Sequence, residues 1–404
     1  MFEKLLQNGF WHLLQGTCMQ ITAYAADNCQ PIFATMARIA LNARLLISGR
    51  LEGIGWFTHE CYRRMIAAHP EHEFQLLFDR SVAEEFCYGI NASEVRLMPP
   101  ARRPFLYDAW FDFAVTRQLN RWKADVFVST DGMLSRRTKV PQIPVFHDLN
   151  FMHHPEWMPA REAKYYCSRF PQFAQRASRI LTVSDYSRRD IVTQFSVPVE
   201  KIEVISNAPA DDYRPLNSSE YVDEQRDAHA HGNPYFVFVG SLHPRKNISG
   251  LLAAYTIYRA MGGQYDLVVV GESMWSDEMR NQEGVHFCGR MERKKLALTV
   301  AASEGLVFIP WFEGFGVPIV EAFASGVPVI ASNRTSMPEV CGGAAAALVE
   351  PDDHETIAAV MKKLESDSAF RNDAIERGLH RAKDYSWDDS ADRMWECIEQ
   401  VLKA

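Results

Sequence analysis

The sequence predicts an α/β protein built from two Rossmann-like, doubly wound domains that face a central cleft. Short apolar or β-branched runs alternate with longer stretches of helical periodicity, the pattern of parallel sheets covered by helices. At 404 residues the chain is long for a single core. Near its middle a polar segment with prolines at both ends, residues 209–234, interrupts the alternation and reads as a linker.

Residues 1–40 form a leader of unknown role, in which "FEKLLQNGFWHLLQG" has the spacing of a short amphipathic helix suited to capping or packing. The amino-terminal domain follows over 41–208, with strands expected at 43–49, 74–79, 124–130, 140–149, 178–184 and 202–207. The carboxy-terminal domain spans 235–384, with strands at 235–241, 265–271, 285–289, 304–310 and 328–332. Residues 385–404 are amphipathic, with Trp387, Met394, Trp395 and Ile398 available for burial. Ligands of such sheets bind beyond the carboxyl ends of the strands, so the site is expected between the domains.

Composition narrows the function. The chain is 47% hydrophobic and 23% charged, without an apolar run of bilayer-spanning length. Eight cysteines are scattered with neither a C-x-x-C pair nor metal-type spacing, as in a reducing compartment. The first thirty residues match a secretory signal poorly, and the expected location is cytoplasmic. The formal charge is −8, yet residues 1–205 hold 24 Lys and Arg against 21 Asp and Glu. That half is the side to meet an anionic partner or membrane surface, whereas no basic, aromatic-interleaved face suggests nucleic acid.

The stretch "WFEGFGVPIVEAFASGVPVIAS" (311–332) carries the chemistry. Gly314 and Gly316 allow a turn and close approach of backbone to a ligand, and Pro318 suits the first turn of a helix. The amides of Phe315, Gly316 and Val317 then project from the helix start toward a phosphate or sugar oxygen, with Glu313 before them and Glu321 after. A strand, a turn and a capped helix would explain the same residues, and this segment alone leaves the two readings even. In "FVGSLHPRKNISGLLAAY" (238–255), Arg245 and Lys246 follow the first strand of the second domain, where cations would face the same cleft. Gly53 and Gly55 fall in the first loop of the amino-terminal domain, and on periodicity alone are an ordinary turn. His147 and Asp148 end a strand before "NFMHHPEWMP"; a buried structural histidine and a turn cap are the plain alternatives. Ser184 and Ser187 suit a helix cap. Around His153 and His154 no carboxylate or cysteine cluster has ligand spacing, so no catalytic metal is expected.

Taken in order, these residues resemble the retaining nucleotide-sugar glycosyltransferases of family 4, which have the GT-B fold. The resemblance rests on E-x7-E (Glu313 to Glu321), "VGSLHPRKN", "LEGIGWFTHE" (51–60), "VFHDLNFMHHPEWMP" (145–159), "TVSDYSRRDI" (182–191), "VISNAP" (204–209) and "YSWDDSADRMWECI" (385–398), and covers the chain from about residue 41. It implies that Glu313 bonds donor-sugar hydroxyls, that the Phe315, Gly316 and Val317 amides hold sugar and phosphate, and that Glu321 holds the ribose. Lys246 with Arg245 would stabilise the departing diphosphate, His147 would bond the donor sugar, and Asp148 would orient it or bind the acceptor. Gly53, Gly55 and Gly240 would give the backbone close approach to the donor. Many relatives carry an arginine just after the glycine of that strand; here Ser241 follows Gly240, and Arg245 is expected to take over. Met291 and Arg290 sit where relatives hold the base.

The expected reaction is transfer of a hexose, mannose from GDP-mannose first, to an acceptor hydroxyl in surface polysaccharide or glycolipid synthesis. No cofactor is implied beyond the nucleoside diphosphate sugar substrate. A saccharide or lipid-linked saccharide acceptor would suit Arg102, Arg103, Arg136, Arg137 and Lys139 at the inner face of the plasma membrane, as a peripheral contact. The alternatives are a UDP-hexose-dependent transferase, a GT-B epimerase, or a non-catalytic nucleotide-sugar binding protein.

Overall fold

The computed structural model describes residues 36–272 and 282–404. The helix expected in the leader lies outside them. Among the described residues thirteen strands form two sheets, and every strand pair there is parallel. The first holds β1 (Arg38–Asn42), β2 (Glu73–Phe78), β3 (Ala92–Arg96), β4 (Val126–Ser129), β5 (Gln142–Phe146), β6 (Ile180–Thr182) and β7 (Ile202–Val204), in the order β3-β2-β1-β4-β5-β6-β7. The second holds β8 (Tyr235–Val239), β9 (Asp266–Val270), β10 (Val285–Gly289), β11 (Gly305–Phe308), β12 (Val329–Ser332) and β13 (Ala347–Val349), in the order β10-β9-β8-β11-β12-β13. Each order reverses beside its first strand, between β1 and β4 and between β8 and β11. Those switch points open a crevice at the carboxyl ends of the strands.

Central strands of a parallel sheet are covered on both faces and read as continuous apolar runs. In β8 (YFVFV) and β9 (DLVVV) all five residues are buried. Two of the edge strands, β3 (ASEVR) and β13 (ALV), are only partly buried, so they lack that signal.

Two expectations need correction. The first strand is Arg38–Asn42, and 43–49 is a loop; residues 38–40 therefore belong to the sheet. Two apolar runs lie side by side here, and register decides between them. Arg38–Asn42 pairs along both β2 and β4, whereas the following residues turn, with Leu46 N bonded to Ala43 O and Gly49 at φ +67. The polar segment 209–234 contains a helix, Ser219–Ala230, whose start is capped by Ser218. It joins the second domain through Arg226, 2.7 Å from Glu304. Three of its residues are buried, Gln225, His229 and Ala230, too few to show as periodicity.

The last helix, Trp387–Leu402, packs on the Gly53–Ala68 helix of the first domain. Its start is capped by Ser386, Trp395 stacks on His69 at 3.8 Å, and Asp388 pairs with Arg64 at 2.6 Å. The six cysteines among the described residues are free thiols. Among these residues no helix is long and apolar enough to cross a membrane.

Candidate active site

The loop after β11 builds the centre of the cleft. Glu313 is buried, its amide donates to Thr335 Oγ1 at 3.3 Å, and its carbonyl accepts from Ser336 Oγ at 2.9 Å. Those bonds fix the backbone from which the carboxylate projects. Gly314 follows, where an added Cβ would lie 1.9 Å from the His147 carbonyl oxygen, so the two domains touch here at backbone distance. Gly316 has φ +95 and opens the helix Val317–Ala324, with proline in its first turn. Among the described residues nothing accepts from the amides of Phe315, Gly316 or Val317. They form a donor nest at a helix start, a setting suited to an anionic oxygen.

Arg245 and Lys246 lie on the short 3₁₀ turn after β8, and both ion-pair with Glu313, Lys246 at 2.5 Å. Burial pushes the Glu313 carboxyl up, but Arg245 and Lys246 outweigh it and hold it below the usual carboxylate range. Burial pulls the Lys246 ammonium down to about 8, despite Glu313. Its Nζ also lies 4.8 Å from the centre of the Phe308 ring. Two cations against one carboxylate leave the cluster positive, which suits a diphosphate. Gly240 has φ +150, and a Cβ added there would meet the Lys246 stem at 3.5 Å.

Glu321 sits in the second turn of its helix rather than at its start. Burial pushes its carboxyl up to about 8, with Tyr213 and Arg293 pulling the other way. Arg293 ties this corner to the first domain: it pairs with Asp212 at 2.9 Å and Glu60 at 3.4 Å, and its guanidinium lies 4.3 Å over the Trp56 ring.

In the first domain, His147 Nε2 lies 2.9 Å from the Thr130 carbonyl. A carbonyl only accepts, so Nε2 carries the proton and Nδ1 of the neutral ring is an acceptor. Burial holds the imidazole below its ordinary pKa, and Phe57 meets it edge-on at 4.9 Å. Asp148 accepts from the Asn150 amide at 3.0 Å, the turn cap. Gly53 and Gly55 prove to be the first residues of a helix, not a preceding loop. Gly53 has open space around it, whereas a Cβ on Gly55 would stand 2.9 Å from Leu45 O, so Gly55 serves loop packing. Ser184 caps the helix Asp185–Phe195 and also donates to the Gly314 carbonyl at 2.7 Å.

One residue of the seam, Glu339, carries no sequence signal. Glu339 accepts from the Asp185 and Tyr186 amides at 2.7 and 2.9 Å, placing a carboxylate of one domain on a helix start of the other. Arg290 donates to the Leu51 carbonyl at 3.4 Å, and Met291 Sδ accepts from Thr299 Oγ1 at 3.5 Å. His153 bonds Asp190 at 2.8 Å and His154 stacks on Trp157. Among the described residues no group of three or more metal-type side chains converges.

Two parallel α/β domains closing on an amide nest, a fixed carboxylate and a pair of cations define a glycosyltransferase of the GT-B fold. Residues 52–209 match the family described as Glycosyltransferase Family 4, and residues 222–381 that described as Glycosyl transferases group 1. The chain is 31% identical over 373 residues to the O-antigen chain mannosyltransferase B of Escherichia coli, covering 88% of this chain and 96% of that one. It belongs to glycosyltransferase family 4. It is also 23% identical over 274 residues to the serotype-specific mannosyltransferase WbdA of Escherichia coli, covering 65% of this chain and 33% of that longer protein. Among solved structures, a sucrose-phosphate synthase from Thermosynechococcus elongatus superposes with a TM-score of 0.72 at 17% identity, over 91% of this chain and 99% of that one. At that identity the likeness is one of fold.

Proposed function

We propose that the protein transfers mannose from GDP-mannose to a saccharide hydroxyl in surface polysaccharide synthesis, with retention of configuration. The observation that carries the reading is the Arg245, Lys246 and Glu313 cluster beside the amides of residues 315–317, at the carboxyl ends of both sheets. The mannosyltransferase relatives support the choice of sugar.

Lys246 and Arg245 bind the diphosphate, and the amide nest holds the oxygens between nucleoside and sugar. Glu313 accepts from donor hydroxyls, and Nδ1 of His147 accepts from another on the opposite wall. Glu321 receives the ribose, near Tyr213. The sugar C1 to phosphate oxygen bond breaks, the acceptor oxygen bonds C1 on the same face, and its proton passes to the leaving phosphate. Charge developing on that phosphate meets the fixed cations, and closure of the seam excludes water. No protein nucleophile and no cofactor enter this scheme.

The acceptor is a saccharide, lipid-linked in the form that brings the enzyme to the cytoplasmic face of a membrane. Support for a peripheral contact comes from Phe105 and Phe113, 70% and 59% exposed, with Arg137 over the Phe113 ring. Arg102, Arg103, Arg137 and Lys139 are exposed. Arg136 does not join them, because Asp108 and Asp112 hold it. Transfer assayed with GDP-mannose and UDP-hexoses against a mannosyl acceptor tests the proposal: product with GDP-mannose supports it, and product with a UDP-hexose alone replaces the donor.

A further inference from the structure

A separate opening lies along the same seam. It is an open groove of about 310 Å3 lined by His154, Trp157, Trp311 and Arg334. The first two come from the loop after β5, Trp311 from the loop after β11, and Arg334 from the loop after β12. The His154 and Trp157 rings stack with centroids 3.8 Å apart and planes at 14°. His243 Nε2 donates to the Trp157 carbonyl, and the Trp311 amide to the Arg245 carbonyl, both at 2.8 Å. Trp311 is two residues before Glu313, and Arg334 precedes Thr335, whose hydroxyl accepts the Glu313 amide. Both walls are thus tied to the loops that carry the donor-site residues.

We infer that this opening is a saccharide subsite for the acceptor glycan, a reading that rests on the proposed glycosyltransferase function. Indole faces are broad, apolar and rigid, and suit the C–H face of a pyranose; guanidinium and imidazole edges suit its hydroxyls. Charge argues for a neutral ligand over a phosphate. Arg334 is paired with Glu350 at 2.6 Å, and His154 lies 3.0 Å from Glu156, so the opening offers no unmatched cation. Its volume falls at the small end of the range for ligand sites, about 300–1,000 Å3, enough for a terminal sugar rather than a whole chain. Because each domain supplies one wall, a glycan held here bridges the domains and favours the closed form. The acceptor thereby helps assemble the site that receives it.

The test measures binding of α-mannotetraose by saturation-transfer NMR, on the native protein and on Trp157→Ala and Trp311→Ala. GDP-induced thermal shifts of all three proteins are recorded in parallel. The expected result is tetraose binding weakened about 3- to 10-fold in each variant, with the GDP shift unchanged. Equal tetraose affinity in all three, or no binding by the native protein, overturns the subsite. If GDP and the other nucleoside diphosphates shift none of the proteins, it is the donor-site reading that fails. Melting temperatures without ligand establish that each variant is folded.

Discussion

At Glu313 two opposing effects meet. Burial disfavours the carboxylate, yet Arg245 and Lys246 hold it ionised. The same burial brings Lys246 to about 8, so its charge is conditional. A diphosphate needs the protonated amine; the affinity of the free protein for GDP should therefore fall as pH rises through about 8, measurable by titration calorimetry from pH 7 to 9. Lys246→Ala should weaken diphosphate binding and turnover together, by about 10- to 100-fold. Glu313→Gln should impair sugar recognition, raising the donor KM while GDP still binds. Glu321 gives a stability signature. Its folded pKa of about 8 lies above the ordinary glutamate value of 4.5, so between them the folded state holds a proton the unfolded chain has lost. Stability from this group is full below about 4.5 and is lost as pH rises through 8. Glu321→Gln should flatten that decline, seen as a melting-temperature difference that grows from pH 5 to 8. E-x7-E and "PRK" were legible because their chemistry is local in sequence. The ion pairing of Glu313 with both cations was not, since it depends on how two loops after different strands meet.

At the level of elements, the seam rests on short contacts that tolerate no added atoms. Gly314→Ala places a methyl against the His147 carbonyl, and the loop must move. A cost of about 1–3 kcal/mol is expected. It should fall on closure as well as stability, so transfer should drop further than the melting temperature suggests. The sequence located β8 and β9 well, whose side chains are almost all apolar and buried on both faces, and it also located the edge strand β10. The edges β3 and β13 escaped because half of each strand meets solvent. The first strand was displaced because "RIALN" and "ARLLIS" are equally apolar, and the pairing partners that choose between them lie 30 to 90 residues away. Glu339 on the Asp185 helix start is a contact between domains, and no local pattern announces it.

For the whole molecule, the last helix fastens the second domain to the first. Trp395 is buried beside His69, His72 and Phe74, and Ser390 donates to the Ser206 carbonyl at 2.7 Å. Trp395→Ala should cost about 3–5 kcal/mol by chemical denaturation, as for a large core aromatic. The two-sheet architecture was legible because alternation and length are global properties; the geometry of closure was not, because it is written in pairs such as Arg293 with Glu60 and Arg50 with Glu272. On the proposed function, this closed cleft should hold a nucleoside diphosphate sugar on Lys246 and Glu313. Thermal-shift titration with GDP, UDP, ADP, TDP and their hexose conjugates, on the native protein and Lys246→Ala, tests it most directly. The expected result is a selective rise with one nucleotide, larger with its sugar conjugate and lost in the variant. No rise with any of them, or an equal rise in the variant, would contradict it.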